Sequence, residues 1–270
     1  MKCLPQIASK PSFLCFVFLI LLSLDPAHAQ LGGIDLGKGL KAWYAFQNSL
    51  ESRVTSAPPS LAKGASWTSN RFGESEGAIA LPGVDQHILI PTEGKDLPDG
   101  AHYSVSLWIL SLDDNSGCIL LKEGAFGIKW NSLKKALTVY HADSGSFLSG
   151  TTNKWSSIDW YHLALIADGE DISLYINGEL DTQWKVELQH EVERKNTYLG
   201  YHPYFWGAFM GKIDDVGIYN RALNQAEIQT LGQLANIPLE SENSTATKPL
   251  VLDDFLGTWQ GVVVQPGNEM

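Results

Sequence analysis

From Leu40 to Asn220 the chain runs as short apolar stretches separated by turn residues, and within the stretches every second position is apolar. Tyr103, Val105, Leu107 and Ile109 alternate with Ser104, Ser106 and Trp108, and Ile172, Leu174 and Ile176 alternate with Ser173 and Tyr175. A period of two is the strand period, with one row of side chains packed and the other more polar. Asp168-Gly169 and Asn177-Gly178 fall between such rows, and Asn-Gly tolerates the positive φ that a two-residue hairpin demands. Together they predict a meander of strands over Tyr161–Ile166, Ile172–Ile176 and Glu179–Trp184. Regular strand spacing without helical periods argues for two stacked antiparallel sheets and against a parallel α/β sheet.

One helix is legible. Asn224 is a good N-cap, and Glu227, three residues on, can reach back to its amide in a capping box. Ile228 and Leu231 supply a docking stripe, so the helix is short and closes the domain. The expected fold class is therefore all-β, a two-sheet antiparallel sandwich with one short C-terminal helix.

The N-terminus has a different pattern. Lys2 and Lys10 precede an apolar run from Phe13 to Leu24, and Ala27-His28-Ala29 has the small-x-small form of a leader cleavage site. The run is too short for the ~20 residues of a membrane helix, so residues 1–29 read as a signal peptide. No second hydrophobic stretch follows, which predicts no membrane insertion after cleavage. The sandwich is expected over 30–237 and a Ser/Thr/Asn-containing linker over 238–250. Residues 251–270 (Phe255 to Val264 above all) read as the start of a further β segment or domain, either pairing with the main sandwich or truncated in this chain.

The formal charge of the 270-residue chain is −11; losing Lys2, Lys10 and Asp25 with the leader makes it −12. So acidic a body repels phosphate backbones, which excludes nucleic acid as an expected partner. Cys3 and Cys15 lie in the leader, leaving Cys118 with no partner for a disulfide. In Cys-Ile-Leu-Leu it reads as a small buried hydrophobe.

Five segments in order carry a family resemblance. Leu40-Lys41-Ala42-Trp43-Tyr44-Ala45-Phe46 comes first, followed by Gly64 to Trp67 with Arg71-Phe72-Gly73 and Leu81-Pro82-Gly83-Val84-Asp85. Trp160-Tyr161-His162-Leu163-Ala164 and Leu174-Tyr175-Ile176-Asn177-Gly178 come next. Gly211-Lys212-Ile213-Asp214-Asp215-Val216-Gly217-Ile218-Tyr219-Asn220-Arg221-Ala222-Leu223 closes the series. From about Leu40 to Leu231 the chain resembles bacterial laminin-G-like/concanavalin A-like lectin domains. The resemblance implies a jelly-roll sandwich, commonly extracellular, often binding glycans or proteins, and sometimes carrying a structural Ca²⁺. A fold alone does not name its ligand.

Two sets of residues are candidates for a site. Strict alternation puts Asp214 on the row Lys212, Asp214, Val216, Ile218, and Asp215 on the row Ile213, Asp215, Gly217, Tyr219. Asp214 then sits beside inward apolar residues, where a carboxylate needs a cation or several donors. The resemblance implies a Ca²⁺ held by Asp214, with Asp215 beside it and carbonyls of the turn at Glu51 and Ser52. An ion pair with Arg53 or Arg221 is the alternative, since the turn lacks Asp/Asn/Gly richness and Gln86 follows Asp85. The second set is the aromatic loop Tyr201, His202, Tyr204, Phe205 and Trp206. Flat rings suit the C–H faces of sugars and also anchor protein interfaces, unless they fold back to cap the sandwich. Trp130, Trp155 and Trp184 lie at strand ends and read as core or rim packing.

No histidine pair has zinc spacing, and no Gly-x-Ser-x-Gly elbow or phosphate loop occurs. The paired glutamates of laminarinase-type sandwiches are missing too, because Glu179-Leu180-Asp181-Thr182-Gln183-Trp184 lacks the closing glutamate. The expectation is an exported non-catalytic binding module, secreted, periplasmic or at the cell surface. Its expected partner is first a glycan and second an extracellular protein. The alternatives are an accessory domain of a larger exported enzyme or surface protein, and a hydrolase whose carboxylates come from separate strands.

Overall fold

The computed structural model describes residues 34–91, 101–111, 116–142, 145–186, 196–202 and 207–233. The expected leader, linker and terminal β segment lie outside these residues, as do Tyr204, Phe205 and Trp206. The described chain is an antiparallel jelly-roll sandwich. One sheet contains β1 (Leu40–Tyr44), β3 (Ser66–Thr68), β4 (Ala78–Leu81), β6 (His102–Ser111), β11 (Tyr161–Asp168), β12 (Asp171–Ile176), β13 (Glu179–Lys185) and β15 (Gly211–Tyr219). The other contains β2 (Leu61–Lys63), β5 (His87–Ile90), β7 (Gly117–Lys122), β8 (Phe126–Asn131), β9 (Ala136–His141), β10 (Ser146–Ser149) and β14 (Thr197–Leu199). Their orders are β13-β12-β11-β6-β15-β4-β3, with β1 against the second half of β15, and β10-β9-β8-β7-β14-β5-β2. A single helix α1 (Gln225–Leu231) follows.

The alternation seen in the sequence is what closes the sandwich. Tyr103, Val105, Leu107 and Ile109 of β6, Leu163 and Leu165 of β11 and Ile172 and Leu174 of β12 face inward. They meet Ile119, Leu120, Phe126, Ile128, Trp130, Leu137 and Val139 of the opposite sheet in one buried cluster. The predicted meander is present as β11, β12 and β13, and Asn177 and Gly178 turn at φ +52° and +83°. Cys118 is fully buried, as its apolar run predicted, and burial pushes its thiol pKa up.

The outer face of the first sheet is covered as well. Trp43, Ala45, Ala164, Ile166 and Tyr219 pack beneath Leu36 and beneath Leu223, Ile228 and Leu231 at the helix. The helix starts as predicted: Glu227 N–H donates to Asn224 Oδ1 at 3.0 Å, and Asn224 N–H donates to Glu227 Oε2 at 2.8 Å. Among the described residues no helix is long and apolar enough to cross a membrane.

One expected row does not hold. The pairing of β15 with β6 slips between Asp214 and Gly217, where Asp215 takes a left-handed φ of +48°. This bulge shifts the alternation by one residue. Ile213, Val216 and Ile218 face the core together, whereas Tyr219 joins the outer cluster and Asp214 sits opposite Trp108.

Candidate functional site

The bulge brings both carboxylates to one guanidinium. Arg71 Nη1 donates to Asp214 Oδ2 at 2.6 Å and Nη2 to Asp215 Oδ2 at 2.5 Å, and all three side chains are nearly inaccessible to solvent. A tight turn holds the arginine there. Asn70 Oδ1 accepts the N–H groups of Phe72 and Glu74, and the guanidinium lies over the Phe72 and Trp108 rings at 4.5 and 4.6 Å. Burial, then the neighbouring Asp215, pushes Asp214 up to about 8; burial pushes Asp215 up to about 6 against the pull of Arg71.

These residues do not fit a Ca²⁺ cage. The Arg71 guanidinium already takes one oxygen of each carboxylate and supplies positive charge where a cation would. In the turn expected to offer carbonyls, the Ser52 side chain serves the fold: its Oγ accepts the N–H groups of Trp43 and Val54 at 3.1 Å each. Among the described residues no group of three or more Asp, Glu, His or Cys gathers as a metal site. The neutralising cation is also not one of the expected pair. Arg53 donates to Gln47 and adds electrostatic attraction to the two aspartates, while Arg221 forks onto Glu227 at 2.7 and 2.8 Å. Beside this cluster His162 is buried, with Nε2 2.8 Å from Ser106 Oγ; burial, then the charge of Arg71, pushes its pKa down to about 3. The imidazole is a neutral packing group.

Of the aromatic loop, Tyr201 and His202 are described. They lie on the outer face of the second sheet beside His87 and Tyr198. His202 is 3% exposed, stands edge-on to Tyr198 at 4.7 Å and has Nε2 3.0 Å from Glu123 Oε1. It packs against the sheet and presents no open face for a ligand.

A concave feature of the described surface lies elsewhere, at the end of the sandwich where the chain passes between sheets. An open cleft of about 430 Å³ is lined by Trp130, Lys135, Asn153, Lys154, Trp155, Ser156 and Tyr161. Its floor runs into a pocket of about 30 Å³ bounded also by Ile109, Ser111 and Phe209. Trp130 ends β8 and belongs to the core, yet its indole N–H has no partner among the described residues. Trp155 meets Trp130 edge-on at 5.4 Å and Tyr161 at 4.5 Å.

The wall that carries Trp155 is held from below. The pairing of β12 with β13 slips at Leu174/Tyr175, so that Asp181 falls between the paired residues Leu180 and Thr182. Its carboxylate accepts Thr151 N–H at 2.9 Å, Thr152 N–H at 2.7 Å and the Thr182 hydroxyl at 2.8 Å. Gly150 leaves the space, since a Cβ there would stand 2.7 Å from Asp181 Oδ2. Trp155 Nε1 then donates to Thr152 O at 3.1 Å, and Ser156 N–H to the Tyr161 hydroxyl at 2.8 Å. The aspartate that came nearest to a glucanase motif is thus the anchor of a loop. Sequence reasoning treated Trp130 and Trp155 as packing, and packing is half of what they do. The available signal was two tryptophans beside lysine-bearing turns, Trp130 to Lys135 and Asn153 to Trp155.

Comparison with known proteins bears on the fold. A family model described as the concanavalin A-like lectin/glucanases superfamily matches residues 82–229. Domain 4 of AbnA, a GH43 extracellular arabinanase from Geobacillus stearothermophilus solved with arabinotriose, superposes with a TM-score of 0.57 at 22% identity. The match covers 72% of this chain and 98% of that one. The receptor-binding domain of botulinum neurotoxin D gives 0.58 at 16% identity, covering 74% of this chain and 53% of the toxin domain. The serotype D ligand-binding domain in complex with N-acetylneuraminic acid gives 0.55 at 16%, over 73% of this chain and 50% of that one. The comparison with curated proteins found no match. At these identities the solved structures speak for the fold alone, whereas the family model spans more than half of the chain. The chain belongs to the concanavalin A-like lectin/glucanases superfamily.

Proposed function

We propose that the protein is an exported, non-catalytic module that binds carbohydrate in the cleft between Trp130, Trp155 and Tyr161. The observation that carries this reading is a cleft of about 430 Å³ walled by three contacting aromatic rings, with amide, hydroxyl and ammonium groups around them. Ligand clefts span roughly 300–1,000 Å³ and combine apolar walls with a few placed polar groups. Aromatic rings offer apolar faces to sugar C–H groups, while Asn153, Ser156 and the lysines can bond hydroxyls. The wall is held by Asp181 before any ligand arrives, which lowers the ordering cost of binding. Among the described residues no Asp or Glu lines the cleft, and glycoside hydrolysis works from a carboxylate pair, so the described lining supports binding without cleavage. The leader-like residues 1–29 support export to the periplasm, cell surface or medium. The likeness to one domain of an arabinanase supports an accessory place in a larger exported protein.

A glycan array followed by titration calorimetry on the best ligand tests this. Trp155→Ala is expected to weaken binding at least tenfold, with Trp155→Phe intermediate and folded by its melting curve. If Trp155→Ala binds as the wild type does while alanines at Tyr204, Phe205 and Trp206 abolish binding, the site belongs to the 201–206 loop. If no saccharide binds the wild-type protein, the carbohydrate reading falls.

A further inference from the structure

We infer that the cleft selects an acidic saccharide, one that carries carboxylate or sulfate groups, with Lys135 and Lys154 as the residues that read the charge. The inference rests on the cleft being the carbohydrate site. Among the described residues, two of the seven side chains that line it are lysines and none is an acid. They stand on different walls, Lys135 in the turn between β8 and β9 and Lys154 in the connection from β10 to β11. Both are exposed, and among the described residues neither has a carboxylate partner. Some other basic side chains of the surface are matched, whereas Lys38, Lys41, Lys129 and Lys212 also stand without a carboxylate partner among the described residues. Lys63 pairs with Asp85 at 2.5 Å, Lys185 with Asp171 at 2.9 Å and Arg221 with Glu227 at 2.7 Å.

What sets Lys135 and Lys154 apart is that they share one cleft, which makes a local cationic mouth in a chain of net charge −11. Among the described residues the nearby acids do not cancel it. Asp181 is turned under the loop and used by Thr151, Thr152 and Thr182, while Asp159 is exposed and does not line the cleft. Lys134, next in the turn, is held to Ser149 Oγ at 2.7 Å and adds a third positive charge at the rim. A sugar ring on Trp155 with an anionic substituent would meet ammonium groups from both walls. The acidity of the rest of the surface would repel the same chain elsewhere, so the sign of the charge confines an acidic polymer to this end of the sandwich.

The test compares matched oligosaccharides on the full chain by calorimetry: oligogalacturonate for carboxylate, a sulfated galactan oligosaccharide for sulfate, and an uncharged galactan oligosaccharide. At ~50 mM salt at least one acidic ligand is expected to bind tenfold or more tightly than the neutral one. The advantage should shrink as salt approaches ~1 M, where the screening length is about 3 Å. In Lys135→Ala/Lys154→Ala the affinities for acidic and neutral chains should converge, whereas the distant control Lys63→Ala should keep the difference. The two acidic arms show which anionic group is preferred. Equal binding of acidic and neutral ligands by the wild type overturns the inference and leaves the carbohydrate reading standing. So does a preference that survives in the double variant. Failure of every saccharide to bind removes the carbohydrate reading itself.

Discussion

Replacing Arg71 by methionine isolates the one cation that serves both buried aspartates. Methionine is long and apolar enough to stay between the Phe72 and Trp108 rings, so packing is largely kept while the charge is lost. Breaking a buried pair by removing one partner costs roughly 3–5 kcal/mol, because the remaining charge has neither water nor a counter-ion. Here two carboxylates are left, at 2% and 4% side-chain exposure, so the upper part of that range applies once both must ionise. The cost depends on pH with a definite sign. Burial holds both carboxyls above the ordinary aspartate range, and the charge of Asp215 raises Asp214 further. Each group therefore favours the folded chain most at low pH, and that contribution is lost as pH rises through its folded value. Arg71 limits the loss by pulling both values down. Without it they climb further, and each extra proton retained adds about 1.4 kcal/mol per pH unit to the deficit of the variant. Urea unfolding at pH 5, 7 and 8.5 should show R71M close to wild type at pH 5 and roughly 3–5 kcal/mol weaker at pH 8.5. For a domain of this size that is a fall in Tm of about 6–20 °C. A deficit under ~1 kcal/mol at pH 8.5, or one equal at pH 5 and 8.5, refutes the reasoning. Millimolar Ca²⁺ should leave the wild-type Tm unmoved; a rise that a chelator reverses and D214N abolishes would return the pair to cation binding.

Two further outcomes follow from local geometry. Asp181→Asn leaves one acceptor oxygen where two took the amides of Thr151 and Thr152, so chemical unfolding should show a loss of about 1–2 kcal/mol. The hydrogen bonds to the carboxylate lower the Asp181 pKa against the effect of burial, which is the largest influence on it and acts the other way. Its contribution is therefore present above about pH 4 and fades as pH falls through the folded value, and the acid limb of the wild-type stability curve should be shallower in the variant. Asn224→Ala removes the cap acceptor and half of the capping box; it should cost about 1 kcal/mol by the same measurement, without altering the cleft.

The parts of the fold that local chemistry dictates were legible in the sequence. Alternating rows located β6, β11, β12 and β13, because a half-packed strand must repeat every two residues. Asn177-Gly178 named its turn because both residues accept positive φ, and Asn224 with Glu227 named the helix start because an open amide needs an acceptor. What the rows hid were the two places where the period breaks. Nothing in Lys212 to Tyr219 announces that Asp215 will turn left-handed and put Ile213, not Asp214, on the core side with Val216 and Ile218. The arginine that makes this bearable is 143 residues from Asp214 in the chain, beyond any local pattern. The cleft was hidden for a related reason. Its walls come from the turn after β8, the connection before β11 and Phe209, which meet only when both sheets are stacked.

The two bulges solve one problem in two ways, and the difference separates stability from function. In each, an extra residue turns a carboxylate out of the alternating row, where it must find partners. On β15 the partner is a buried guanidinium, and the result is a closed cluster with no polar surface left for a ligand. On β13 the partners are the backbone amides of the connection that carries Trp155, so the same device fixes the wall of an open cleft. A loop that spans two sheets at the sandwich end has few ladder hydrogen bonds of its own, and without Asp181 the ring positions would have to be ordered by the ligand. Holding them in advance places that ordering cost on folding instead of on binding. The affinity of the cleft should therefore depend on a carboxylate that never touches the ligand.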